Sequence, residues 1–205
     1  MSIELLLRAT VVAAFLAIAV ELSLYPIPSE AAVFAAPRRD RTARKSIILP
    51  GLLSYAALPV MFLLPPLWAL HPGSFRHLRP LAAAPAFGSP VLAAAGIALV
   101  AAGTVLGAVA TAALRARLSR GGGLETSGVF AVSRNPIVLS LHLTALGFLL
   151  VLPTLPLLLA GPVYLLHMHS RIRIEERHLH RRYGSEFAAY CKGVRRYYGR
   201  PRRRR

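Results

Sequence analysis

The sequence predicts an all-α, polytopic transmembrane helical bundle of about five spans, and three observations carry that reading. Hydrophobic residues make up 55% of the 205-residue chain and mean hydropathy is +0.53, well above the balance of a soluble domain. The apolar residues fall into long runs of membrane-crossing length with few or no charges. The charge is lopsided: 25 Lys and Arg oppose 8 Asp and Glu, and the net +17 collects between and after the apolar runs. Cys191 is the single cysteine, which excludes an intrachain disulfide and makes a Cys-built zinc site an unexpected reading. The chain reads as one integral membrane domain over 1–205, with three N-terminal spans in 1–114, a C-terminal region in 115–198 and a basic tail in 199–205.

Residues 3–24 form the first expected span, about 33 Å at 1.5 Å per residue, interrupted only by Glu4, Arg8 and Glu21. A cleaved signal peptide fits less well, because no compact basic start precedes a short apolar core and the Tyr-Pro-Ile-Pro at 25–28 reads as a helix stop. Residues 46–70 form the second span, in which Pro50, Pro59, Pro65 and Pro66 imply kinks. Residues 91–114 form the third; it is uncharged, and Gly96, Gly103 and Gly107 allow another helix to approach closely. The uncharged stretch 137–168 is about 48 Å as one helix, too long for a hydrocarbon core of about 30 Å. Pro153 and Pro156 divide it into a tight C-terminal helical hairpin.

Basic loops set the orientation, since short Lys/Arg-rich loops stay in the cytoplasm. Arg38, Arg39, Arg41, Arg44 and Lys45 lie between spans one and two, Arg115, Arg117, Arg120 and Arg134 between three and four, and 13 more follow from Arg171. Five spans with the N-terminus outside place all three clusters in the cytoplasm, leaving Arg76 and Arg79 on the other side.

Two cytoplasmic segments hold the residues suited to chemistry. The loop from Arg120 to Pro136 ends at a helix start, with Asn135 a favourable N-cap, Pro136 suited to the first helical position and Arg134 an ordinary positive-inside residue. Such a start presents free N–H groups to a carboxylate or phosphate. Beyond the last span, Arg171 and Glu175 lie four apart on one helix face, the spacing of a surface ion pair. Glu175, Glu176 and Glu186 are three of the eight acidic residues in the chain, and their place in a basic tail suits them to binding a cationic group. His167 and His169, like His178 and His180, are two apart and face different ways, so no metal pair is expected, and His142 reads as a polar contact inside the bundle.

Thr126-Ser127-Gly128-Val129-Phe130, Ser133-Arg134-Asn135-Pro136, an apolar hairpin, Glu175-Glu176-Arg177-His178-Leu179 and Tyr183-Gly184-Ser185-Glu186-Phe187-Ala188-Ala189-Tyr190 together resemble the C-terminal signature of the isoprenylcysteine carboxyl methyltransferase and phospholipid methyltransferase superfamily. The resemblance covers 121–198 and makes 115–198 a methyltransferase-like cofactor-binding region; the first three spans match only in hydropathy. It implies an integral enzyme of the cell (inner) membrane that carries methyl groups from S-adenosylmethionine to a lipophilic acceptor, a prenylcysteine-like carboxylate or a phospholipid amine. The cofactor pocket and the C-terminus would be cytoplasmic. Carried over by position, the pocket would use Leu124, Glu125, Phe130, Asn135, Pro136, Ile137, Val138 and Glu175, with Arg171 on the substrate side. The residue types suit the ligand: a carboxylate for its amino group, helix-start N–H groups for its carboxylate and an apolar wall for its adenine. Phe130 and Val138 depart from the family pattern, which usually has Tyr at both.

Two other readings fit less. The Arg-Asn-Pro segment and the Tyr183-Gly184 and Tyr190-Cys191 pairs also resemble sterol-reductase-like membrane enzymes that use NADPH, but the short chain and the Glu175-Glu176 pair favour methyl transfer. A non-catalytic membrane protein whose basic tail binds anionic headgroups is the third reading. No specific nucleic acid is expected, because nothing resembles a reader domain.

Overall fold

The computed structural model describes residues 3–24, 41–78 and 89–198. Among them are five α-helices and no strand: α1 (Ile3–Leu24), α2 (Arg41–Leu70), α3 (Pro90–Ser119), α4 (Pro136–Val151) and α5 (Leu155–Gly193), with short 3-10 turns at Pro72–Leu78 and Gly128–Ala131. Each expected span coincides with a helix, and the all-α class holds. Arg38, Arg39, Arg79, the helix stop at 25–28 and the tail 199–205 lie outside the described residues.

By length and composition, α3 is the described helix able to cross a membrane, and two shorter apolar helical stretches accompany it, Ala56–Leu70 and Pro136–Val151. Only 22% of the most apolar stretch of α3 is buried inside the protein. Val91 and Val105 are 76% and 63% exposed, as are Leu159 and Leu166 on α5 at 66% and 71%. A helix buried in a soluble core does not leave such residues outside, so these surfaces suit a hydrocarbon solvent.

The core forms where the helices converge: Val11 and Ala14 of α1, Met61 and Trp68 of α2, Val100 of α3, Phe148 of α4, and Leu157 and Tyr164 of α5. Phe62 packs edge-on against Phe148 and Tyr164, with ring centroids 6.3 and 5.6 Å away. Arg8 in α1 donates from Nε to the Ala69 carbonyl at 2.6 Å, so a cation set in an apolar helix meets a carbonyl near the end of α2. Despite its four prolines, α2 is continuous.

Helix α3 packs most closely on α4, as its glycines predict. A methyl group at Gly103 would clash with the Thr144 hydroxyl and come within 2.7 Å of the Ser140 carbonyl oxygen. One at Gly147 would come within 2.6 Å of Val100 Cγ2 and 2.7 Å of the Gly96 carbonyl oxygen. The glycines allow the two backbones to approach almost to contact.

The C-terminal hairpin needs correction. The chain does break around Pro153, between α4 and α5, but the two arms are not tightly paired: α4 lies along α3 while α5 packs chiefly on α2. The Gly103 and Gly147 contacts hold α4 to α3 more closely than a three-residue turn can hold it to α5. Helix α5 then continues far beyond the apolar stretch, turning at Gly184, whose φ of 50° and ψ of −117° suit glycine. This turn sends the last helical segment back towards the loop before α4.

Candidate functional site

The site is assembled where three chain segments meet: the loop between α3 and α4, the polar part of α5, and the stretch that follows α5. Helix α3 ends at Ser119, and Gly121, Gly122 and Gly123 follow with φ of 99°, 79° and 107°. The Gly122 N–H donates back to the Arg117 carbonyl at 3.1 Å, a turn that favours residues without a side chain. Leu124 is then buried. The Glu125 carboxylate accepts from the Ser127 hydroxyl at 2.6 Å and from the N–H groups of Ser127 and Thr126 at 2.9 and 3.1 Å. The Ser127 hydroxyl does most to hold this carboxyl below the usual range. Glu125 therefore shapes its own loop.

Phe130 lies buried in the 3-10 turn, and its carbonyl accepts the Tyr190 hydroxyl at 2.6 Å. That contact ties the loop to the segment beyond Gly184. Desolvation raises the Tyr190 phenol, which stays a neutral donor at physiological pH.

Asn135 and Pro136 stand where the sequence places a helix start, and Pro136 occupies the first turn. The expected cap does not form. The Asn135 side chain makes no capping hydrogen bond, and its Nδ2 donates to the Arg196 carbonyl at 2.9 Å. Ser133 supports this arrangement: its hydroxyl accepts the Asn135 N–H at 3.1 Å and donates to the same Arg196 carbonyl at 3.4 Å. Returning chain takes the amide because it brings a main-chain acceptor into a buried position that needs a donor. Ile137 and Val138 are half-buried, Val138 against the main core, and their N–H groups belong to the first turn, which has no intrahelical acceptors.

Arg134 is more than a loop cation. Its Nη2 pairs with Glu176 Oε1 at 3.2 Å, its Nη1 contacts Cys191 Sγ, and its N–H donates to the Arg195 carbonyl at 3.0 Å. Glu176 also receives Arg196, with Nη2 2.6 Å and Nε 3.0 Å from Oε2. The pairing raises the guanidinium pKa of Arg196. Glu176 and Arg134 are each only 13% exposed and Arg196 33%, so the carboxylate joins one largely covered and one partly exposed cation. The sequence signal was the cluster of acidic residues in a basic tail; for Glu176 the cationic partners are two arginines of its own chain.

Glu175 differs from its neighbour. Among the described residues it makes no hydrogen bond or contact ion pair, although Arg171 attracts it at longer range. Its side chain is accessible at the surface, yet protein crowds it enough for desolvation to raise its pKa, with Arg171 opposing and Glu176 reinforcing. A carboxylate so placed, without its own cation in contact, is suited to receive an ammonium group. Since Glu176 contacts Arg134, Glu175 lies at about the same level along α5 as that loop, its side chain about 100° round the helix from that of Glu176.

A model of the phospholipid methyltransferase family matches residues 86–186, which include every one of these loop and α5 positions up to Glu176. This segment belongs to the phospholipid methyltransferase family. This family falls within the superfamily of isoprenylcysteine carboxyl and phospholipid methyltransferases, integral membrane enzymes that generally use S-adenosylmethionine. No curated protein and no solved structure matches the chain. Membership points to methyl transfer at a membrane, and the match spans α3 and α4 as well as the polar segments from which the sequence resemblance arose. Arg196, Tyr197 and the rest of the returning chain lie beyond the matched segment.

Proposed function

We propose that this phospholipid methyltransferase family member transfers the methyl group of S-adenosylmethionine to a lipophilic acceptor, a prenylcysteine-like carboxylate or a phospholipid amine, at the cytoplasmic face of the inner membrane. The observation that carries the reading is Glu175: an accessible carboxylate without a contact partner among the described residues, next in sequence to Glu176, which pairs with Arg134 of the loop before α4. It suits the amino group of the cofactor. Ile137 and Val138 would offer N–H groups to its carboxylate, and buried Leu124 and Phe130 form apolar walls near the loop. Glu125 and Asn135 act one step back, by shaping the loop and anchoring it.

When bound, the cofactor supplies a methyl group on a sulfonium that loses its charge in an in-line displacement. The protein has then to position the reactants and exclude water; a carboxylate acceptor needs no proton transfer for that step, whereas a phospholipid ammonium must first give up a proton to free its lone pair. Arg171, one turn before Glu175, is assigned to the acceptor, where it neutralises an anionic group. Five spans with an outside N-terminus complete the reading, with the tail 199–205 on anionic headgroups.

Calorimetry on the purified protein tests it. S-adenosylmethionine or its demethylated product should bind, and lipid extracts from cells fed methyl-labelled methionine should lose a labelled species when the protein is removed. Binding of NADPH without S-adenosylmethionine would replace methyl transfer with reduction.

A further inference from the structure

Tyr197 forms a shared wall between two recesses of opposite character. On one side Arg134, Arg195 and Arg196 line an open recess with Cys191, Val194 and Tyr198. On the other, Leu139 of α4 and Leu165 and Leu166 of α5 line an apolar one, with His142 and His169 at its polar edge. The Tyr197 hydroxyl is hydrogen-bonded to His169 Nδ1 at 2.7 Å, and its ring lies 6.0 Å from that of His142, so the wall is fixed to both helices. Tyrosine is a residue of the membrane–water boundary, where a polar tip and an apolar ring are both satisfied.

The charge on the first side is unbalanced. Glu176 is the carboxylate in contact with Arg134 and Arg196, and Arg195 is exposed with no carboxylate in contact among the described residues. Arg134 Nε is also without an acceptor there. Three guanidiniums against one carboxylate attract a phosphate and repel a headgroup that presents an ammonium beside it. Leu166, 71% exposed, offers an acyl chain a continuous apolar path from the same wall.

We infer that the two recesses around Tyr197 together bind one anionic lipid, its phosphate on the Arg134–Arg195–Arg196 side and an acyl chain along Leu139, Leu165 and Leu166. A lipid held here joins the returning chain to α4 and α5 at the membrane surface. This site is independent of methyl transfer, since the lipid class favoured by the charge need carry no amine.

Native mass spectrometry of the full chain in neutral detergent tests the inference with three probes: dioleoylphosphatidylglycerol, dioleoylphosphatidylcholine and inorganic phosphate. Phosphatidylglycerol should be retained in preference to phosphatidylcholine. Arg195→Gln should weaken its retention about fivefold, the effect of one surface cation on an anionic headgroup. Leu166→Gln should weaken it as well, and millimolar phosphate should leave it bound. Both side chains are exposed, so neither change threatens the fold. Equal retention of the two lipids, or wild-type retention of phosphatidylglycerol in either variant, would overturn the site. Displacement by inorganic phosphate would show that the arginines take a free anion, and would overturn the lipid.

Discussion

The Asn135 side-chain amide donates to the Arg196 carbonyl 2.9 Å away, so the residue that opens α4 is held by chain 61 positions later. Tyr190 does the same for the preceding turn through the Phe130 carbonyl, 60 positions away. The loop therefore depends on the segment after Gly184 for its shape, and a change in that segment will reach the start of α4.

Glu176 holds this arrangement together electrostatically. Glu176→Gln should lower stability by about 1.5–3 kcal/mol, the range of a hydrogen bond to a charged group, because the largely covered Arg134 and the partly exposed Arg196 lose their shared anion. Exposed Glu186→Gln should stay within about 0.5 kcal/mol. Thermal unfolding of both variants in one detergent checks this, and equal midpoints would remove the structural role of Glu176.

Much of the fold was legible because hydropathy and proline act locally. The limits of α1 follow from its apolar run, whereas α2 starts at Arg41, five residues before its run, and α3 ends at Ser119, five residues after its run; Gly96 and Gly103 announced a close helix contact. The divergence of α4 from α5 was not legible, because it depends on which helix surfaces fit and the connecting turn does not encode that. The same holds at the site. Arg134 carries the mark of a positive-inside residue, and nothing local reveals that Glu176 and a carbonyl from residue 195 face it. The acidic cluster was visible; its division into a structural Glu176 and an unengaged Glu175 required the geometry.

The α3–α4 contact leaves no room for a side chain. Gly103→Ala should destabilise the protein by about 1–3 kcal/mol, since its methyl group would strike Thr144 and the rigid Ser140 carbonyl. On the same helix, Ala102→Val adds volume at an exposed position and should change stability by less than about 0.5 kcal/mol. Similar unfolding midpoints for the two variants would contradict the close packing.

Topology gives a separate test. The three basic clusters predict that a thiol introduced near Arg41, in a Cys191→Ser background, is shielded from an impermeant reagent in intact cells and reacts after permeabilisation. Labelling in intact cells would invert the orientation and place the proposed cofactor site outside.

Glu175 predicts a pH dependence with a defined sign. Desolvation raises its pKa above the ordinary carboxylate value in the empty protein, so its ionised form costs stability above that value, and the cost is relieved as pH falls through the raised one. A bound ammonium favours the ionised form. Affinity for S-adenosylmethionine should therefore weaken as pH falls from neutral towards the ordinary carboxylate value of about 4.3. Glu175→Gln should weaken binding at neutral pH by about 1.5–3 kcal/mol and flatten the profile. An unchanged slope in the variant, measured by calorimetry, would assign the dependence to another group.

Arg171 separates acceptor from cofactor. It sits one turn before Glu175 and attracts that carboxylate, so its removal has two possible consequences that differ in kind. If Arg171 serves the acceptor, Arg171→Ala reduces methyl transfer while cofactor affinity stays nearly constant, because the amino group contacts Glu175 and not the arginine. If it serves only as the helix partner of Glu175, stability changes by a few tenths of a kcal/mol and turnover is not selectively lost. Arg171→Lys sharpens the comparison: it keeps the charge near Glu175 but loses the planar fork that grips a carboxylate or phosphate in two places. The acceptor role predicts partial turnover in Lys, little in Ala, and similar cofactor affinity in both. Parallel losses of affinity and turnover in the Ala variant would place Arg171 with the cofactor, and wild-type turnover there would remove it from the site.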